Sequence, residues 1–85
     1  MSTSGMKAPP TAHTVEVLVN ELADSVQRFQ AALEKFRVTK PGTEPYRERL
    51  SDLEIELFDL QLKARHAHEA VDEFEGSLPD KDKVA

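Results

Sequence analysis

The chain has no cysteine and no tryptophan, and its 85 residues include three glycines and one tyrosine. Without cysteine there is no disulfide, no thiolate zinc site and no cysteine nucleophile. Basic residues are outnumbered: sixteen Asp and Glu stand against eleven Lys and Arg, a formal net charge of -5. A basic stripe able to neutralise phosphates is missing, which argues against nucleic acid and against anionic membrane surfaces. No apolar run approaches the roughly 20 residues of a membrane span, so no membrane insertion is expected. The N-terminus carries no apolar secretory core, and cytoplasmic residence is the default expectation. Neither a glycine-rich phosphate loop nor a converging set of acid, base and nucleophile is visible. The expectation is a non-enzymatic protein with no cofactor and no small-molecule substrate.

What is present is helical periodicity. A chain this short forms at most one domain with a marginal core. Residues 1–11, MSTSGMKAPPT, lack periodicity and read as a flexible N-terminal tail; residues 79–85, PDKDKVA, read as a second tail. Between them, the first helix is expected over residues 14–38, with Thr14 as N-cap and Thr11 as the competing start. With Val15 at heptad position a, Leu22, Phe29 and Phe36 also fill a. Leu18, Ser25 and Ala32 fill d, and Val19, Val26 and Leu33 fill e. This stripe is wider than a two-stranded contact needs. Ser25 is the one hydroxyl in it, and a lone small polar residue at such a place reads as a packing or register device rather than a nucleophile.

A turn follows at residues 39–44, where Pro41 disfavours helix at Lys40 and Gly42 can take a left-handed conformation. Thr43 is the N-cap candidate for a second helix over residues 45–77, with Pro45 in its first turn. So short a connection makes the helices antiparallel neighbours. In the second helix, Tyr46, Leu50, Leu53, Leu57, Leu60, Ala64, Ala67, Val71, Phe74 and Leu78 follow alternating steps of four and three. That unbroken seven-residue repeat predicts helix-on-helix packing along the whole line. Pairing outward from the turn puts Phe36 near Leu50, Val26 near Leu57 and Val15 near Ala67. Gly76 and Pro79 are expected to end the helix.

Apolar residues remain over. Ile55, Phe58 and Leu62 lie about 150° from that line, on a face one hairpin leaves open. Burying them elsewhere would contribute on the order of 5–8 kcal/mol, taking about 1.5–3 kcal/mol each. Val71, Phe74 and Leu78 extend past the first helix, unless residues 9–14 lie along them. The expected interface is therefore Ile55, Phe58, Leu62, Val19, Val26, Leu33, Val71, Phe74 and Leu78. On this reading Phe58→Glu removes association, whereas Leu57→Glu breaks the hairpin itself. His66, His68 and Glu69 form the one constellation with ligand chemistry. Helical di-metal sites, however, use an inward Glu-x-x-His, and here the order is His-x-x-Glu on a solvated face. A helical metal-binding protein using His66, His68 and Glu69 is the further alternative.

The stretch Ala32-Leu33-Glu34-Lys35-Phe36, Lys40-Pro41-Gly42 and Tyr46-Arg47-Glu48-Arg49-Leu50-Ser51 resembles the helical-hairpin proteins of type III secretion. Needle subunits of those systems have a Lys-Pro turn and a Tyr-initiated second helix, and their small co-chaperones are similar hairpins. The resemblance implies an export component, with MSTSG as a flexible signal. The ending Glu73-Phe74-Glu75-Gly76 departs from the apolar end by which needle subunits polymerise, which favours a chaperone-like protein or an unrelated adaptor over a polymerising subunit.

The sequence thus predicts an all-α fold: an antiparallel, coiled-coil-like two-helix hairpin, completed to a four-helix bundle by a second copy or another helical protein. The expected function is a protein–protein interaction module, adaptor or chaperone; a secretion needle co-chaperone is the alternative.

Overall fold

The computed structural model describes residues 8–79. The segments 1–7 and 80–85, where most of both expected tails falls, lie outside the described residues. Two helices, α1 (Ala12–Arg37) and α2 (Glu44–Ser77), pack on each other as an antiparallel hairpin. No helix among the described residues is long and apolar enough to cross a membrane.

Capping sets the helix limits. Thr11, not Thr14, caps α1: its backbone is extended, and its hydroxyl oxygen accepts from the Thr14 N–H at 3.1 Å. Thr11 follows Pro9-Pro10, so it is the first position able to cap, and starting there adds residues to the helix. At the other end the Thr39 hydroxyl donates to the Lys35 carbonyl at 2.6 Å, and the Thr39 N–H donates to the Phe36 carbonyl at 3.1 Å. These bonds take up last-turn acceptors and leave Val38 outside the helix. In the turn, Gly42 has φ 82°, which a side chain would strain. Thr43 accepts from the Tyr46 N–H at 3.3 Å and donates to the Lys40 carbonyl at 2.7 Å, so one hydroxyl ties the turn to the start of α2. Leu78, held extended ahead of Pro79, ends α2. Gly76 stays within the last turn without a positive φ, so the proline alone stops the helix.

The rotation of α2 differs from the expectation. Along α1 the covered line is the one its periodicity predicts: Val15, Leu18, Leu22, Ser25, Phe29, Ala32 and Phe36. Along α2 it runs through Tyr46, Arg49, Leu53, Glu56, Leu60, Lys63, Ala67, Ala70 and Phe74. Half of the apolar repeat faces α1, and the other half, Leu50, Leu57, Ala64, Val71 and Leu78, stands at its side. Leu50 and Leu57 remain 46% and 43% exposed, while the Glu56 and Lys63 side chains are only 25% and 26% exposed. At about 100° per residue the helix has turned by roughly 50° from the position the apolar repeat alone selects. Register shifts with it, and the ring of Phe36 packs on Tyr46, centroids 5.1 Å apart, rather than on Leu50.

Small residues close the open end of the contact: Ala67 and Ala70 are buried, Val71 and Leu78 stay exposed, and the chain ahead of α1 lies beside the end of α2. There Ala8 and Pro9 line a shallow cleft with Glu73, Gly76 and Ser77. Ala67→Leu forces extra volume into a closed contact and should lower stability by about 1–3 kcal/mol in urea unfolding. Ala64→Leu, three residues earlier at the side of the helix, should change it by less than half as much.

Candidate helix-packing interface

One buried hydroxyl organises the middle of the hairpin. Ser25 is the only fully buried side chain among the described residues. Its hydroxyl donates to Asp59 Oδ2 at 2.6 Å and accepts from Arg28 Nη2 at 3.0 Å. The same guanidinium nitrogen reaches Asp59 Oδ2 at 2.8 Å, and Arg28 Nε lies 3.6 Å from Glu56 Oε1. Lys63 Nζ donates to Asp59 Oδ1 at 3.2 Å from one turn further along α2. Two cations and two carboxylates thus form a neutral tetrad around a buried serine. The Ser25 hydroxyl, then Arg28 and Lys63, hold the Asp59 carboxyl well below the usual carboxylate range. The hydrogen bond to Asp59 raises the Arg28 guanidinium in turn.

This tetrad gives the hairpin two unlike sides. With Tyr46 at a, Asp59 occupies g of α2 and Arg28 occupies g of α1, so the ion pair marks the side where the two g lines meet. In an antiparallel pair the e lines meet on the opposite side. Val19, Val26 and Leu33 of α1 and Leu50, Leu57, Ala64, Val71 and Leu78 of α2 share that side. Every one of these residues is apolar. Val19, Val26, Leu50, Leu57, Val71 and Leu78 are all exposed. At the open end the face is continuous with a shallow cleft in which Val15 and Val19 meet Phe74.

The nine residues expected at an interface therefore fall on different surfaces. Val19, Val26, Leu33, Val71 and Leu78 lie on the e side. Phe74 is half-buried between the helices. Ile55 and Phe58 project from the outer surface of α2, 64% and 70% exposed, and Leu62 is half-buried beside them. Ile55 also lines a groove on the polar side with Ala31, Ala32 and Lys35. Sequence reasoning missed Leu50, Leu57 and Ala64 because it placed them against α1. The signal that could have found them is polar: the Ser25 hydroxyl donates across to Asp59, which faces it only if α2 is rotated.

His66, His68 and Glu69 are exposed. His66 and Glu69 border a shallow cleft with Thr14, Leu18 and Glu73, which Ala8 and Pro10 also line. No group of three or more His, Asp or Glu able to hold a metal ion forms among the described residues. The class defined by fold and surface is a helical hairpin with one ion-paired side and one apolar side. No protein-family model, curated protein or solved structure matches the chain.

The depressed Asp59 carboxyl fixes the sign of a pH effect. A group whose folded pKa lies below its unfolded value of about 3.9 adds stability above that pH. That stability is lost as pH falls through the acid range toward the depressed value. The melting temperature should drop between about pH 4 and pH 2, and Asp59→Asn should flatten this limb while lowering stability at neutral pH. Ser25→Ala should also lower the neutral-pH melting temperature, since the carboxylate loses its nearest donor.

Proposed function

We propose that the protein is a non-enzymatic interaction module, an adaptor or chaperone that acts by packing the apolar e side of its hairpin against other helices. The observation that carries this reading is the segregation of the two sides. Among the described residues the polar cross-links between the helices lie on the g side, and an uninterrupted line of Val, Leu and Ala from both helices lies on the other. A pair of helices has no third layer to cover such a line, and contiguous exposed apolar surface of this kind marks a contact site. Two more helices would complete a four-helix bundle. The resemblance of residues 32–51 to type III secretion hairpins supports the chaperone form of this reading, in which the same face would hold an export client.

The rotation of α2 exchanges the outcomes that the periodicity alone suggests for two substitutions. Leu57→Glu places a charge on the e side outside the contact between α1 and α2. Burial of one such side chain contributes about 1.5–3 kcal/mol, so association should weaken at least tenfold. Helix content by circular dichroism in the associated concentration range should persist. Phe58→Glu, on the outer surface of α2, should leave this association within a few-fold of wild type. The opposite ranking of the two variants in sedimentation equilibrium would dismiss the e side as the contact.

A further inference from the structure

We infer that the apolar side is covered by a second copy of the same chain, related by a two-fold axis that sets the two turns at opposite ends of the assembly. The inference rests on the reading of the e side as a packing face and names its occupant. Three features of the hairpin point to it.

The first is height. The Ser25–Asp59 and Arg28–Glu56 contacts put Val26 and Leu57 at the same level of the hairpin. A two-fold axis at that level sets Val26 on its counterpart and Leu57 on its counterpart. Val19 then meets Leu33 of the other copy, and Leu50 meets Ala64. One axis therefore pairs the whole apolar line of α1 and the Leu50–Ala64 part of the α2 line with their own counterparts, as an isologous contact requires, and Val71 and Leu78 extend past it.

The second is charge. Along α1 the acidic residues Glu16, Glu21 and Asp24 come first with no Lys or Arg among them, and Arg28, Lys35 and Arg37 follow with Glu34. Helix α1 is thus acidic in its first half and basic in its second. Against an antiparallel copy of itself each half meets its opposite. At the rim of the apolar side this brings Glu16 to Arg37 of the other copy, twice by symmetry. The α2 rim brings Glu54 to Gln61 and Arg47 to His68, with no pair of acidic groups.

The third is the failure of the competing arrangement. With both turns at the same end, α1 lies beside α2 of the other copy. Arg37 and Arg47 stand at one level, so that arrangement presses these like charges together twice, where complementary potentials are needed to fix docking direction.

The test uses the full chain. Sedimentation equilibrium at micromolar concentration should give twice the 9.5 kDa chain mass. The absence of native cysteine allows a single spin label at Lys40→Cys, in the turn and away from the contact. Fourteen residues separate Lys40 from the level of Val26, so at 1.5 Å per residue the two labels should lie about 40 Å apart. A label distance below about 20 Å means turns at the same end and overturns the inference. Glu16→Arg should weaken the dimer about two- to tenfold, and adding Arg37→Glu should restore it; a double variant no tighter than the single one also overturns it. A monomer that binds a hydrophobic dye and melts without cooperativity overturns the second copy as occupant while leaving the packing-face reading intact. A cooperatively folded monomer whose melting temperature is independent of concentration sinks both.

Discussion

A buried hydroxyl between two amphipathic helices must find a partner, and that requirement sets the geometry of this hairpin. Ser25 is fully buried on the face of α1 that packs on α2. A buried hydroxyl left unbonded costs more than the loss of one hydrogen bond, because its solvation by water is not replaced. Asp59 answers that need, but only when α2 is rotated so that the carboxylate looks across at α1. The carboxylate then needs its own compensation, which Arg28 and Lys63 supply from both helices. The resulting tetrad is neutral and specific in direction. It selects one rotation and one register from the several that a regular leucine repeat would tolerate, the use of interior polar groups best attested in coiled coils.

The consequence lies on the far side. Turning α2 to satisfy Ser25 carries Leu50, Leu57 and Val71 out of the helix–helix contact and aligns them with Val19, Val26 and Leu33. Hydrophobic burial is non-directional and scales with area, so these side chains are served as well by another molecule as by α1. Polar bonding is directional and has no such freedom. The two forces thus act on different sides: hydrogen bonds fix the hairpin from within, and apolar area is left on the opposite side. The acidic first half and basic second half of α1 fit the proposed antiparallel contact, to which they would give direction.

Much of the fold was legible in the residues. The periodicity of α1 names its covered line residue for residue. Thr43, Pro45 and Gly42 define the turn by local chemistry, and the shortness of the turn forces the helices to run antiparallel. The start of α1 was harder to place, because Thr11 and Thr14 are both competent caps and only the chain path after Pro10 selects between them. The apolar e side was legible in part. The α1 contribution, Val19, Val26 and Leu33, follows from a stripe too broad for one partner. The α2 contribution was hidden inside a repeat regular enough to be read as a single line.

Composition and period by themselves determined an acidic, all-α hairpin with more apolar surface than two helices can cover, because both properties are sums and spacings along one chain. Which way α2 faces was decided only in three dimensions. A seven-residue repeat specifies a stripe on a helix but not its angle toward a neighbour within some tens of degrees. That angle depends on pairs of residues far apart in sequence, Ser25 with Asp59 and Arg28 with Glu56, whose bonds exist only once the helices lie side by side.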